Sequence, residues 1–158
     1  MATKALVTPA QYLATHSEWE REYVRGEIVE RPLPTKRHSM TQQRLSVLLD
    51  RIGCYPELRM RLAVDIYRVP DISVFETQPE EDVPTSPPLL MVEVASPDDK
   101  FGDLLEKCDE YRKWGVPNIW VVEPELKKLH IYTGGLHEVP KLELPAHNLT
   151  ITPEALFA

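Results

Sequence analysis

The chain is poor in cysteine and glycine, short of positive charge, and free of long apolar runs, and each shortage excludes something. Its two cysteines, Cys54 and Cys108, form no CxxC pair. They cannot build a disulfide framework, so reduced thiols in a cytoplasmic setting are expected. Six glycines stand against fifteen prolines, which punctuate the chain into many short elements. No stretch approaches a membrane span, and the opening MATKALVTPAQYL lacks an apolar core of signal-peptide length. No membrane association is expected. The net charge of −7 argues against strong non-specific binding to nucleic acid.

What is present is the composition of an ordinary globular protein, 42% apolar and 27% charged. A length of 158 residues suits one domain spanning 1–158, with a core large enough to hold it. The charge is unevenly placed. Residues 20–70 hold ten Lys/Arg against seven Asp/Glu, whereas residues 71–126 hold four against fourteen. A basic rim beside an acidic pocket is compatible with that division.

Thr8-Pro9 predicts an N-cap and first position of a short helix through about His16. REYVRGEIVER predicts a hairpin about Arg25-Gly26, with strands near 20–24 and 27–31. An apolar stripe of Met40, Leu45, Leu48, Leu49 and Ile52 predicts a helix over about 36–53, stopped by Gly53. LRMRLAVDIY reads as one strand, DISVFE as a second and LLMVEVA as a central one, with a polar, proline-rich loop before the last. Asp98 or Asp99 is expected to cap a helix to about Trp114, closed by Gly115. NIWVVEP, KLHIYT, LHEVP, LELPA and NLTIT are strand candidates, and PEALFA a final helical turn. The order predicts an α/β domain on a mixed sheet.

Two acids interrupt the apolar strands: Asp71 in VPDISVFE and Glu93 in LLMVEVASP. A carboxylate in such a place must be protonated, paired with a cation or bound to a metal. If the two strands are neighbours, Asp71 near the start of one approaches Glu93 near the end of the other. Mg²⁺ resolves the repulsion of two close carboxylates, since it takes oxygen ligands and keeps several waters. A bound divalent ion also suits attack of water on a phosphodiester. Pairing with Arg, or with a backbone N–H, is the ordinary explanation for either acid alone.

Lys107 lies on the flank of the Phe101, Leu104, Leu105, Cys108 stripe, from which a long side chain can reach the end of the preceding strand. There it could position or deprotonate water, or stabilise a charged transition state. A surface pair with Asp103, four residues earlier, explains it equally well. His38 opens the long helix beside Lys36 and Arg37, and Glu27 follows Gly26 in the hairpin; exposed positions account for both. Arg59, Arg61 and Arg68 could contact phosphate or simply face solvent. His16, His130, His137 and His147 fit no metal-ligand spacing.

Taken together, REYVRGEIVERPLPTKRH, VPDISVF, PPLLMVEVASPDD and EKCDEYRKWGVPNIWVVEP resemble the Uma-type restriction-endonuclease family, a branch of the PD-(D/E)XK nuclease superfamily. The resemblance covers roughly residues 8–158. It implies a restriction-endonuclease-like fold: a central mixed β-sheet flanked by helices, with an N-terminal β-hairpin. It also implies hydrolysis of DNA phosphodiesters dependent on Mg²⁺ or Mn²⁺, by an enzyme that acts as a homodimer. Asp71 and Glu93 match the metal-binding acids, Glu27 the upstream Glu that serves as an extra metal ligand or water-positioning group, and His38 the His at the site's rim. Lys107 matches a helix Lys that replaces the usual one. The departure is Ala95, which stands where the E-x-K signature has its lysine.

Two further functions remain open on this sequence. One is a nuclease-fold module that binds nucleic acid or protein without turnover. The other is a hydrolase of a smaller phosphate compound, which the acidic surface suits better. Retention of Glu27, Asp71, Glu93 and Lys107 together favours catalysis on DNA.

Overall fold

A computed structural model describes residues 5–15 and 21–158. The expected end of the first helix at His16, and the start of the first strand at residue 20, lie outside the described residues. Helix α1 (Pro9–Ala14) opens on the expected cap, a reciprocal pair of bonds between Thr8 and Gln11. The hairpin follows as β1 (Arg21–Val24) and β2 (Glu27–Glu30). Its two-residue turn puts Arg25 and Gly26 at φ 48° and 90°, the doubly left-handed geometry that matches strand twist and favours Gly.

Helix α2 (Lys36–Leu49) is capped by Thr35 and ends four residues before Gly53. Gly53 serves another purpose. A Cβ there would stand 2.3 Å from the Phe75 carbonyl oxygen, so only glycine lets the chain pass. Cys54, next in the chain, begins β3 (Cys54–Pro56). The single strand expected from LRMRLAVDIY is two, β4 (Met60–Ala63) and β5 (Ile66–Arg68), folded back through Val64-Asp65. The turn is fixed from outside, where the Arg25 amide donates to the Asp65 carbonyl.

Strand β6 (Ile72–Val74), central strand β7 (Leu90–Val94), helix α3 (Phe101–Trp114) and β8 (Asn118–Glu123) come next. Neither Asp98 nor Asp99 caps α3. The cap is Lys100, while the Asp99 carboxylate accepts from the Ser96 amide and ties the preceding loop. Gly115 closes the helix as expected. Strands β9 (Lys128–Tyr132), β10 (Leu136–Val139), β11 (Leu142–Leu144) and β12 (Leu149–Ile151) and helix α4 (Pro153–Phe157) complete the described chain.

The central sheet runs β10-β9-β8-β7-β6-β3 and is mixed: β7 and β8 are parallel and the other pairs antiparallel. The hairpin extends into a second, antiparallel sheet, β2-β1-β5-β4, and β11 and β12 pair separately. Alternation along β7 divides the core. Leu90, Val92 and Val94 pack toward Leu45 and Leu49 of α2, while Met91 packs toward Leu104, Cys108 and Tyr111 of α3. The sheet is therefore flanked by helices on both faces. Among the described residues no helix is long and apolar enough to cross a membrane.

Candidate active site

Where the second sheet meets the end of β7 there is a cavity of about 1110 Å³, bounded by β1, β2, the Pro32–Pro34 connector and the start of α3. Asp71, Glu93, Lys107, Glu27 and His38 all line it. The antiparallel β6–β7 register pairs Ile72 with Val92, and one step further brings Asp71 opposite Glu93. Both acids are buried, at 2% and 5% exposure.

Asp71 is held from every side. Its Oδ1 accepts from Arg31 Nη2 at 2.5 Å and lies 3.2 Å from His38 Nε2. Its Oδ2 accepts from the Val94 amide at 2.7 Å, and its carbonyl accepts from the Gln42 side chain at 3.0 Å. Burial alone would push the carboxyl's pKa up, but the His38 bond, the Arg31 charge and the Val94 N–H outweigh it and hold it below the usual value. Asp71 stays ionised. Burial likewise pulls His38 down, yet its bond to Asp71 leaves it raised overall. His38 Nδ1 is buried without a hydrogen-bond partner among the described residues.

Glu93 is different. Burial, reinforced by the negative charges of Asp71 and Glu22 and opposed chiefly by Lys107, lifts its pKa from 4.5 to about 7. Tyr111 donates to its Oε1 at 2.5 Å. Burial, then the neighbouring Glu93, pushes the Tyr111 phenol well up, so it remains a neutral donor.

Lys107 points inward, not to solvent, and does not pair with Asp103. Its Nζ lies 3.5 Å from Glu22 Oε2. Burial disfavours its charge, but Glu93 and then Glu22 outweigh that and raise its pKa. Its amine therefore stays protonated. Glu22 itself is fully buried, accepting from Arg68 Nη1 at 2.9 Å and from the Val69 amide at 3.1 Å. Arg68 also donates through Nε to Glu110 at 2.8 Å. It is therefore buried structure and not a free phosphate contact. Arg59 lies over the Tyr12 ring, and Arg61 donates to the Ala63 carbonyl.

Glu27 stands exposed at the cavity's rim, opposite Val24 in the hairpin. Among the described residues no three His, Cys, Asp or Glu side chains form a ready metal cage. The donor chemistry of Asp71 and Glu93 nonetheless fits a hard divalent ion, which takes one or two carboxylates and fills its remaining positions with water. Two carboxylate oxygens offer about four lone pairs. Arg31, His38 and the Val94 amide engage three of those on Asp71, so it can serve as a ligand but in competition with its neighbours.

A sequence model of the Uma2 family, described as "Putative restriction endonuclease", matches residues 9–158. The chain belongs to this family. Its backbone is similar to a crystal structure described as "a putative nuclease belonging to DUF820" from Anabaena variabilis ATCC 29413. The TM-score is 0.83 at 23% identity, over 96% of this chain and 97% of that one. No curated protein matches the chain. For this Uma2 member, the expectation of a central mixed sheet flanked by helices is met.

Sequence reasoning missed two residues that line the Uma2 cavity, Glu22 and Arg31, and Tyr111, which holds Glu93. Glu22 carries a signal, an acid between Arg21 and two residues of an apolar, hairpin-forming strand, but that signal alone does not separate it from a solvated strand position. Arg31 and Tyr111 carried none that separates them from a strand end and a helix stripe.

Proposed function

We propose that this Uma2 chain is a metal-dependent endonuclease that hydrolyses DNA phosphodiester bonds at the Asp71–Glu93 pair, within a single domain. The observation that carries the reading is the union of two buried acids on adjacent strands with a buried lysine from the following helix, at one cavity. Asp71 and Glu93 would hold Mg²⁺ or Mn²⁺, which when bound acidifies water and neutralises charge on a phosphate.

The remaining work falls to the chain. Lys107, kept charged by Glu93 and Glu22, donates to the attacking water or to a phosphate oxygen, taking the role for which Ala95 has no side chain. Tyr111 fixes the orientation of Glu93, and His38 that of Asp71. Glu27 at the rim orients water or substrate as it enters. A pair of such chains, one for each DNA strand, is the active unit in this reading.

The test incubates the protein with plasmid and single-stranded DNA plus Mg²⁺ or Mn²⁺, beside Asp71→Asn and Glu93→Gln. Each substitution should cut the rate by at least about 100-fold. Cleavage that survives both would overturn the assignment. One observation favours hydrolysis of a smaller phosphate compound instead: acidic side chains outnumber basic ones in the cavity lining. DNA binding that falls steeply with added salt supports the endonuclease, and salt-insensitive turnover of a phosphate monoester supports the alternative.

A further inference from the structure

The cation closest to Asp71 is already on the chain. Arg31 follows β2 directly and precedes Pro32, and its guanidinium reaches down to Asp71 Oδ1 at 2.5 Å with only 15% of the side chain exposed. The same guanidinium holds a second acid, with Nη1 3.9 Å from Glu57 Oε1. We propose that Arg31 is the resident counter-cation of the candidate metal site. It neutralises Asp71 in the metal-free protein and shifts toward Glu57 when Asp71 takes up a divalent ion.

Arg31 and a divalent ion compete for one carboxylate. A bidentate-capable guanidinium at hydrogen-bond distance is a strong partner for a carboxylate. A divalent cation on that carboxylate would stand beside the guanidinium charge, and like charges at such separation repel strongly in a partly dry site. That repulsion favours the departure of Arg31 whichever Asp71 oxygen the ion takes: Oδ1, which Arg31 and His38 share, or Oδ2, which accepts from the Val94 amide. Arg31 can leave cheaply because Glu57 already stands 3.9 Å from its other nitrogen as an ion-pair partner, and Glu57 is more open to water, at 38% side-chain exposure. His38 and the Val94 amide stay with Asp71 and preserve its orientation. In the metal-free protein the Arg31 contact spares the fold a buried, uncompensated carboxylate.

This inference rests on the reading of Asp71 and Glu93 as metal ligands, and a Mn²⁺ titration separates the two. The full chain is titrated with Mn²⁺ by electron paramagnetic resonance as wild type, Arg31→Gln, Glu57→Gln and Asp71→Asn. Removing the competitor in Arg31→Gln should tighten Mn²⁺ binding about tenfold. Glu57→Gln removes the alternative acceptor and should weaken binding. In EDTA Arg31→Gln should melt below wild type, and Mn²⁺ should raise its Tm by more. If Asp71→Asn abolishes binding while Arg31→Gln leaves it unchanged or weaker, the counter-cation role is wrong and the metal site stands. If Asp71→Asn binds like wild type, or wild type binds no Mn²⁺, both fall. Should Arg31→Gln not fold, unchanged affinity in Glu57→Gln overturns the inference alone.

Discussion

The two sides of the central sheet bury side chains equally well but bury different chemistry. Toward α2, α4 and the β11–β12 pair the core buries no charged side chain among the described residues and is built from Leu45, Leu49, Leu90, Val92, Trp120 and their neighbours. Toward the second sheet, the chain buries Glu22, Arg68, Asp71 and Glu93, and all four line one cavity. Desolvating a charge costs several kcal/mol unless it is paired, and replacing a buried pair by apolar side chains is often neutral or stabilising. Stability alone therefore does not explain the polar side. The contrast separates what holds the fold from what the fold holds.

The contrast breaks most visibly at Glu22. Glu22→Ala leaves Arg68 and Lys107 buried without their shared partner, and should lose about 3–5 kcal/mol of unfolding free energy in urea. Glu22→Gln keeps an acceptor for the Val69 amide and should fold better, yet it withdraws the charge that helps hold Lys107. On the apolar side, Leu49→Ala empties a fully buried position and should cost about 2–5 kcal/mol. There, however, kcat per folded molecule should be unchanged, because Leu49 lies at the far end of α2 from His38. A Leu49→Ala protein that folds but loses turnover would erase the distinction between the two sides.

The apolar side was legible in the sequence because its information is local. Alternation in LLMVEVA and NIWVVEP marks strands, and spacing in α2 and α3 marks the stripes. Asp71 and Glu93 were legible for the same reason, as acids inside apolar patterns, and Lys107 as a lysine flanking a stripe. Glu22 was not. Its neighbours Arg21 and Arg25 make REYVRGE look solvated, and its burial comes from packing of one sheet against another, with Arg68 46 residues away. Arg31 meets Asp71 across 40 residues and was hidden likewise. The β4–β5 turn lacks the Gly or Pro that announces a reversal, and strand β3 is only three residues long. Long-range pairing of charge leaves no periodic trace.

Acidity offers a gentler probe of the polar side. Glu93 keeps its proton to about pH 7 when folded and loses it near 4.5 when unfolded. Between those values the folded state binds more protons, so metal-free stability should fall as pH rises and level off above 7. The loss amounts to at most about 3 kcal/mol. His38 adds to the same trend, because its raised pKa stabilises below 6.5 and that contribution fades as pH climbs through its folded value. Asp71, with a lowered pKa, contributes above 3.8 and loses that contribution only in stronger acid, outside this window. Urea unfolding in EDTA at pH 5 and pH 8 should show the decline, and Glu93→Gln should flatten it. A Glu93→Gln profile as steep as wild type would assign the dependence elsewhere.

The smallest effect is expected where the same ion-pair chemistry meets water. Arg37 pairs with Glu125 at the surface, joining α2 to the turn after β8, with side chains 63% and 42% exposed. Arg68 and Glu22 make the same guanidinium–carboxylate contact at 5% and 0%. Solvent screening reduces the exposed pair to under about 1 kcal/mol, and added salt weakens it further. Arg37→Ala should therefore shift the urea midpoint barely at all, and less still in 1 M salt. An Arg37→Ala loss approaching that of Glu22→Ala would mean that burial is not what distinguishes the two sides of the sheet.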